Sequence, residues 1–344
     1  MFYTGTAGNT NFNTKMVNGT LRWDIGSATN FGNWWYQSGP SSSANWPSNW
    51  KIPSSLTSLG NFAHRGMNNA DVDSFSTKTV NETWYGGTSY TAWDVSNISS
   101  FNSAFNYGNL QSVKNYNIGT WNVTSSATDM TNLLTTDING YYGTPVFDQD
   151  LGHWDVRNVT GFGENWLGNR RATLTSGNLS TANLDSIYDI TDGWGQDAGV
   201  SQSGVVIGFG TSKYTPGISI EGTTNNTGTS TTIYDSTKNF TNEGNAGNIA
   251  VGDILYNKDT NQYAKVLSFG TYTVVTDQSI WGSSGINYRV ENSNAARGKI
   301  ALISAGWTIT DGGAYIPPVV PMQLQFPSHD PPSPQSIVKL VPCT

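Results

Sequence analysis

Residues able to act as catalytic nucleophiles or bases are scarce in this sequence. Its 344 residues include three histidines, His64, His153 and His329, and one cysteine, Cys343. A serine–histidine–aspartate triad requires such groups to converge in space, yet the histidines lie far apart in the chain and none belongs to a hydrolase motif. The sequence therefore predicts no nucleophilic active site.

Carboxylate side chains could instead form the acid pair of a glycoside hydrolase. Asp148, Asp150, Asp155 and Glu164 lie within one short stretch of the sequence. Asp148 and Asp150, however, belong to a sequence theme that recurs along the chain, which favours a role in turns. We predict that the protein is not an enzyme, with glycan depolymerisation as an alternative.

Metal ligation and cofactor binding are not indicated either. The sequence has no cluster of histidines and cysteines, and Asp189, Asp192 and Asp197 lack the spacing of a calcium-binding loop. We interpret these three aspartates as turn and helix-cap residues. The sequence predicts no metal ion and no cofactor.

Aromatic side chains are the remaining candidates for binding. Exposed aromatic rings are common at contacts with glycans and proteins, although anchoring of loops explains their presence equally well. Six of the aromatic residues that fall outside the repeat described next are singled out for this role. These candidates for a binding surface are Trp34, Tyr36, Trp46, Trp84, Tyr141 and Tyr142.

A repeat organises the elements that must position these residues. In the stretch 93–105, apolar residues follow Trp93 at positions +2, +5, +8 and +12. The same spacing follows Trp23 and Trp154 and, with one inserted residue, Trp121 and more loosely Trp50. The starts lie 27, 43, 28 and 33 residues apart, and a recurring period of this length is typical of solenoids and propellers.

The spacing predicts one short strand and one tight turn in each unit. Residues two apart lie on the same side of an extended strand, whereas steps of three suit a helical or 3₁₀-like turn. Such a unit cannot bury its own apolar side, so the units must stack. The predicted core residues are Trp23, Trp35, Trp93, Phe105, Trp121, Trp154, Trp166 and Trp307.

The residue after each tryptophan offers a check on the order of stacking. In chain order these outward positions are Asp24, Lys51, Asp94, Asn122 and Asp155. Like charges directly opposite each other destabilise a ladder, and this order places no two carboxylates side by side. We therefore expect the units to stack in chain order.

These units resemble the repeats of BspA-type leucine-rich-repeat surface proteins. The resemblance is carried by Trp93-Asp-Val-Ser-Asn-Ile and by the stretch 147–160, Phe-Asp-Gln-Asp-Leu-Gly-His-Trp-Asp-Val-Arg-Asn-Val-Thr. Residues 179–185, 212–214 and 295–313 are similar to the segments that close such arrays. The resemblance implies a right-handed solenoid used for adhesion or display, here in a phage or virus version, and it brings no catalytic motif.

We predict a mainly β fold with short helices, divided into four segments. Residues 1–22 form an N-terminal cap, and residues 23–215 together with 295–316 form the leucine-rich-repeat solenoid. Residues 216–294 form an inserted β domain, which resembles small barrel modules of phage virion proteins and is expected to be barrel-like. Its predicted strands are 231–234, 249–256, 262–267, 272–275 and 286–290.

Two helices are predicted near the end of the solenoid. Ser180 is a good N-cap, and Leu184, Ile187 and Tyr188 have the spacing of one buried helix face. A second helix is expected at about 295–305. Its predicted N-cap is Asn294, its C′ residue is Gly306, and its inner face consists of Ile300, Leu302 and Ile303.

The C-terminal segment, residues 317–344, holds eight of the thirteen prolines. Such a stretch is extended and cannot pack as a helix or central strand. Apolar residues between the prolines favour an arm that lies along a neighbouring subunit, with Cys343 available for an intermolecular contact. We therefore expect an oligomer and predict that the arm binds other virion or surface proteins.

Composition restricts the class of protein. Charged residues make up 12% of the chain and the formal net charge is −7, which argues against nucleic acid as a partner because its backbone requires a basic surface. No apolar run is long enough to span a membrane, and the N-terminus lacks the features of a secretory signal. The expected location is therefore a virion surface, and the alternative is an extracellular cell surface.

The functional expectation is a non-enzymatic surface-display and adhesion protein. We expect a virion structural component, such as a fibre, tail or capsid appendage, that contacts the host surface or neighbouring subunits. A host glycan or protein is the expected receptor. The alternatives are a bacterial cell-surface adhesin and a virion glycan depolymerase.

Overall fold

The structure is a computed structural model that describes most of the chain and is mainly β with few short helices. The described residues are 28–32, 48–62, 71–81, 89–105, 116–134, 147–163, 166, 179–225, 230–241 and 249–316. The predicted cap at 1–22 and the predicted arm at 317–344 lie outside these residues. No helix in the described part is long and apolar enough to cross a membrane.

Parallel bridges connect the repeat units in chain order. They join Asn30 to Ser58, Ser58 to Ser100, Ser100 to Asp129, and Asp129 to Gly161. Each of these residues lies between the +5 and +8 apolar positions of its unit, so the alignment with one inserted residue places equivalent residues opposite each other. The units are therefore stacked in register.

The ladder continues through the closing segments. Gly163 bridges to Ile207 in strand β3 (Val206–Gly208), and β3 pairs in parallel with β10 (Thr308–Thr310). A further parallel bridge joins Tyr214 to Ala314. Residues before and after the segment 216–294 are thus direct neighbours.

Hydroxyl side chains reinforce the ladder on its exposed side. Thr57, Ser99, Thr128 and Thr160 each donate both the backbone N–H and the side-chain hydroxyl to one carbonyl of the preceding unit. For Thr128 the acceptor is the Ser99 carbonyl, at 2.8 Å from N and 3.1 Å from Oγ1. Each unit therefore contributes two hydrogen bonds at this position rather than one.

A column of tryptophan rings fills the interior. Trp50, Trp93, Trp121 and Trp154 stack with ring centroids 6.1, 6.4 and 6.4 Å apart and interplanar angles of 12–16°. The Trp121 indole N–H also donates to the Phe75 carbonyl at 2.7 Å. The column covers the inner side of these four units, as the stacking of incomplete units requires.

A hairpin and a short turn lie beside the second and third units. Strands β1 (Lys78–Val80) and β2 (Tyr90–Ala92) pair antiparallel, directly before Trp93. A 3₁₀ turn at Val72–Phe75 precedes them and buries the Phe75 ring in the core. A second 3₁₀ turn, Ile118–Thr120, leads into Trp121.

Helix α1 (Thr181–Tyr188) confirms the first predicted helix. Ser180 is its N-cap, with the hydroxyl oxygen accepting from the Asn183 N–H, and the predicted face of Leu184, Ile187 and Tyr188 is fully buried. A 3₁₀ helix at Trp194–Val200 follows and packs against it.

Helix α2 (Asn294–Ser304) lies where the second helix was predicted, with two differences. Its N-cap is Ser293 rather than Asn294, because the Ser293 hydroxyl accepts from the Ala296 N–H at 2.9 Å. Ile303, predicted on the inner face, is 38% exposed. Lys299 is buried instead of Ile303. The buried face of α2 begins nearer the start of the helix than the pattern of large apolar residues indicates. Gly306, with φ +96°, ends the helix as predicted.

The segment 216–294 forms a six-stranded antiparallel sheet. Its strands are Ile218–Thr223 (β4), Thr232–Tyr234 (β5), Ile254–Asn257 (β6), Gln262–Phe269 (β7), Thr273–Thr276 (β8) and Asn287–Glu291 (β9). In space they lie in the order β4, β9, β6, β7, β8, β5. A second hydrophobic core, which includes Trp281 and Val290, lies against this sheet.

The sheet does not close into the barrel-like form expected from the sequence. β4 and β5 are its two edges, and β5 has only three residues, too few to pair along β4. Within the described residues, the Asn225 N–H donates to the Tyr234 carbonyl at 2.7 Å and links the two edges at one point. β4 was not among the predicted strands, because Glu221 and Gly222 interrupt its apolar pattern.

Candidate functional site

The six predicted binding aromatics lie outside the described residues. They are Trp34, Tyr36, Trp46, Trp84, Tyr141 and Tyr142. Two predicted core residues, Trp23 and Trp35, lie outside as well. The structure places the others, Trp93, Phe105, Trp121, Trp154, Trp166 and Trp307, in the interior, each at most 5% exposed.

Two of the carboxylates considered for glycoside hydrolysis accept hydrogen bonds from residues of α1 and its N-cap instead. Asp148 Oδ1 accepts from the Ser180 N–H and from Asn183 Nδ2, both at 2.7 Å. Asp150 Oδ1 accepts from the Ser186 hydroxyl at 2.6 Å. Both side chains therefore attach the last repeat unit to α1.

Asp155 forms an ion pair on the surface of its unit. Arg157 donates to its two carboxylate oxygens at 3.0 and 2.7 Å, and this hydrogen bonding lowers the pKa of Asp155 below its usual value. His153 Nε2 lies 3.1 Å from the Trp121 carbonyl. Glu164, His64, His329 and Cys343 lie outside the described residues.

Asp189 behaves as a turn residue, as its position in the sequence indicates. Its Oδ1 accepts from the Thr191 N–H at 2.6 Å and from the Asp192 N–H at 3.2 Å. Asp197 lies 3.6 Å from Arg157. Among the described residues, no group of three or more histidine, cysteine, aspartate or glutamate side chains could hold a metal ion.

Exposed aromatic side chains do occur on the six-stranded sheet. Tyr234 and Tyr272 are 42% and 45% exposed, and their rings meet edge to face with centroids 6.4 Å apart. Leu267 and Phe269 on β7 are also exposed. We call the pair of Tyr234 and Tyr272 the tyrosine patch. Paired exposed rings of this kind can contact the flat apolar face of a sugar or another protein.

A cleft of about 350 Å³ lies between β7, the loop after β8 and the last turn of α2. Small-molecule sites typically start at about 300 Å³, so the cleft could accept one sugar unit or a side chain. Polar and apolar groups face each other across it. The cleft is lined by Gln262, Tyr263, Ala264, Lys265, Asp277, Gln278, Ile280, Ile300, Ile303 and Ser304.

Charged groups are buried near the cleft, linked through Tyr214 to Tyr263 of its lining. Glu291 at the end of β9 is fully buried. It accepts from Arg289 at 2.7 Å and from the Tyr214 hydroxyl at 2.9 Å. Burial raises the pKa of Glu291, while the guanidinium of Arg289 opposes that shift. This network joins the sheet to the end of the repeat array.

A second buried pair lies beside the first. Lys299 on α2 contacts Asp311, which directly follows β10, at 2.8 Å. The Tyr188 hydroxyl donates to the same carboxylate at 2.7 Å. Lys299 and Asp311 were not singled out from the sequence, because nothing in the 12 residues that separate them shows that both face Tyr188 of α1. The available signal was a lysine within the apolar pattern of a predicted helix.

Comparison with known proteins gives a match to one family model of unknown function. The family described as "Mycoplasma protein of unknown function, DUF285" matches residues 75–193. The matched segment contains the units that begin at Trp93, Trp121 and Trp154 and extends just beyond α1. The chain is therefore similar to this family over part of its length. No curated protein and no solved structure shows a significant match to the chain.

Proposed function

We propose that the chain is a non-enzymatic display and adhesion protein built on a leucine-rich-repeat solenoid of the BspA type. The observation that carries the proposal is the in-register parallel ladder from Asn30 to Gly161. Stacked units of this kind produce an elongated surface whose length depends on the number of units. Such surfaces are suited to contact rather than to catalysis.

The role of the carboxylates supports a protein without catalytic activity. Asp148 and Asp150 accept hydrogen bonds that attach their unit to α1, and Asp155 is paired with Arg157 of its own unit. A general acid needs a carboxyl group that is available to its substrate. These three side chains therefore have a sufficient structural explanation.

The tyrosine patch and the cleft are the proposed contact surfaces on the described part of the chain. Both lie within or against the six-stranded sheet, which we propose as an inserted domain spanning 216–294. Adjacent donors, acceptors and apolar side chains suit a host glycan or a protein loop. The six aromatic residues predicted from the sequence remain candidates for the same role.

The proposed location is the surface of a virion, where the segment 317–344 acts as an assembly arm toward neighbouring subunits. The low fraction of charged residues and the abundance of glycine support a structural protein made of turns and strands. A bacterial cell-surface adhesin has the same architecture and is the second candidate. The resemblance of the repeats to BspA-type surface proteins favours that candidate.

Labelling of intact particles and cells tests the proposal. Antibodies raised against the folded chain should bind to intact virions, or to unpermeabilised cells, in samples from the source culture. Labelling of virions supports the first location and labelling of cells supports the second. Labelling that appears only after virions and cells have been disrupted would contradict display on either surface.

A further inference from the structure

Lys299 and Asp311 form a buried ion pair in which the amine contacts both carboxylate oxygens. Lys299 Nζ lies 3.0 Å from Asp311 Oδ1 and 2.8 Å from Oδ2, and the side chains are only 7% and 5% exposed. Because the nitrogen contacts both oxygens, it also lies close to the carboxyl carbon between them. Positioned groups react fastest when the reacting atoms are about 3–3.5 Å apart and aligned, so the amine has only to turn out of the carboxylate plane to attack the carbon.

Three tyrosine rings surround the amine. Lys299 Nζ is 4.6 Å from the ring centroid of Tyr214, 5.8 Å from that of Tyr263 and 5.9 Å from that of Tyr188. These rings exclude solvent from the pair, so a condensation that releases water is favoured there over its reversal. Exclusion of water also strengthens each electrostatic interaction inside the site.

Two further donors hold the carboxylate in place. The Tyr188 hydroxyl donates to Asp311 Oδ2 at 2.7 Å and the Gly313 N–H donates to Oδ1 at 2.9 Å. Burial raises the pKa of Tyr188 well above its usual value, so the hydroxyl stays protonated. Donors in this arrangement stabilise the charged oxygen of a tetrahedral intermediate in acyl transfer.

We propose that Lys299 and Asp311 condense to an isopeptide bond, an amide between Nζ of the lysine and Cγ of the aspartate. The ammonium group first transfers a proton to the carboxylate, which gives an amine and a carboxylic acid. The nitrogen lone pair then attacks Cγ. The C–OH bond breaks, and the hydroxyl group leaves as water with a second proton from the nitrogen.

The step is balanced without any added reagent. One N–C bond forms, one C–O bond breaks and one water is released, and no group is oxidised or reduced. The bond would close a covalent ring that contains the last turn of α2, Trp307 and β10. It would therefore lock the final strand of the parallel ladder to α2.

Another lysine pair provides a contrast within the same chain. Lys258 Nζ lies 3.4 Å from Glu221 Oε1, and the two side chains are 40% and 51% exposed. Water reaches this pair, and no ring encloses it among the described residues. It therefore serves as a matched control for the buried pair.

Mass spectrometry of the purified full chain tests the proposal. The intact mass should be lower than the mass of the sequence by one water molecule. Chymotrypsin cleaves after Trp307, between the two residues, and should leave the peptides that carry Lys299 and Asp311 joined. Trypsin should not cleave after Lys299, because its amine is acylated.

Two variants complete the experiment. Lys299→Arg keeps the positive charge and should have the full mass of its sequence, whereas Lys258→Arg should keep the deficit of one water. The digestion of the parent chain localises the bond even if Lys299→Arg does not fold. A parent mass equal to its sequence, or free peptides after digestion, would overturn the proposal.

Discussion

Each central tryptophan of the column is covered on both faces by equivalent residues of the neighbouring units. Trp121 lies between Trp93 and Trp154, and it is fully buried. The ring therefore contributes to three units at once. Loss of the ring should therefore destabilise the two neighbouring units as well as its own.

We expect Trp121→Ala to lower the free energy of unfolding by about 3–5 kcal/mol, the usual range for a large buried aromatic side chain. The alanine leaves a cavity between two rings that cannot close without shifting both units. Urea denaturation followed by circular dichroism measures the effect. Trp121→Phe is the control: it keeps a ring in the column and loses the hydrogen bond to Phe75, so its cost should be clearly smaller. Equal stability of Trp121→Ala and the parent would contradict the stacked column.

The Asp155–Arg157 pair gives a prediction about acid stability. Hydrogen bonding from Arg157 lowers the pKa of Asp155 in the folded chain, so the folded state favours the ionised carboxylate. Its contribution is present above the unfolded aspartate pKa of about 3.9 and is lost as the pH falls through the lower folded value.

Arg157→Gln should therefore destabilise the chain slightly at pH 7, and the difference should shrink as the pH falls from 7 through the folded pKa of Asp155. The effect is small because the guanidinium is exposed and screened by water and salt. Urea midpoints of variant and parent, measured across this pH range, should converge on acidification. A constant difference at all pH values would show that the pair is not the cause.

At the scale of elements, α1 and α2 approach each other through a glycine. A Cβ atom added to Gly298 on α2 would overlap the Tyr188 carbonyl at the end of α1. Backbone atoms cannot rotate away as a side chain can, so the two helices would have to separate. A glycine at position 298 is therefore required for the close contact between α1 and α2.

Gly298→Ala should cost about 3 kcal/mol or more, the upper end of the range for overpacking. Gly199→Ala is the matched control, because no heavy atom lies within 4 Å of a Cβ atom at that position. Its effect should stay within about 0.5 kcal/mol, as for other open sites. Thermal unfolding of both variants provides the comparison. Similar melting temperatures for the two would contradict the helix contact.

Elements with strong local signals were predictable from the sequence. Ser180 and the three apolar residues of α1 define that helix without any tertiary information, because capping and periodicity act within a few residues. The strand β4 was missed, since an edge strand is half exposed and carries little apolar alternation. The cap at Ser293 was misplaced by one residue, because two polar residues adjoin there and both are suitable caps.

The candidate site was less predictable than the repeats. The tyrosine patch depends on the pairing of β5 with β8, which brings Tyr234 and Tyr272 together from distant positions. The surroundings of the buried pair of Lys299 and Asp311 depend on the packing of α1 against α2, which places the Tyr188 hydroxyl on Asp311. Long-range packing determines such contacts, and no local pattern encodes it.

At the scale of the whole molecule, the six-stranded sheet leaves and re-enters the repeat array at one point. The Ser293 N–H donates to the Pro216 carbonyl at 3.2 Å, and the Asn292 N–H donates to the Gly217 carbonyl at 3.0 Å. The two ends of the segment 216–294 are therefore adjacent. A short connection can replace everything between them.

We expect a chain in which a Gly-Ser linker replaces residues 216–294 to fold with reduced stability. The ladder and the tryptophan column remain, but Tyr214 loses Glu291, Arg297 loses its ion pair with Asp253, and α2 loses its N-cap Ser293. A cooperative thermal transition with a lower midpoint is the expected result. Replacing only the residues at 226–229 by the same linker is the control and should leave the transition unchanged. An insoluble or unfolded deletion product would contradict the claim that the repeat array folds without the segment 216–294.

The pairing of β3 with β10 determines how tension would pass through the chain. Val206 and Thr308 are neighbours in the parallel ladder, and Tyr214 and Ala314 are neighbours beyond them. A pull on the two ends of the described chain would load these hydrogen bonds in shear and bypass the six-stranded sheet. The sheet would then keep its shape, and any contact surface it carries, while the array bears the mechanical load.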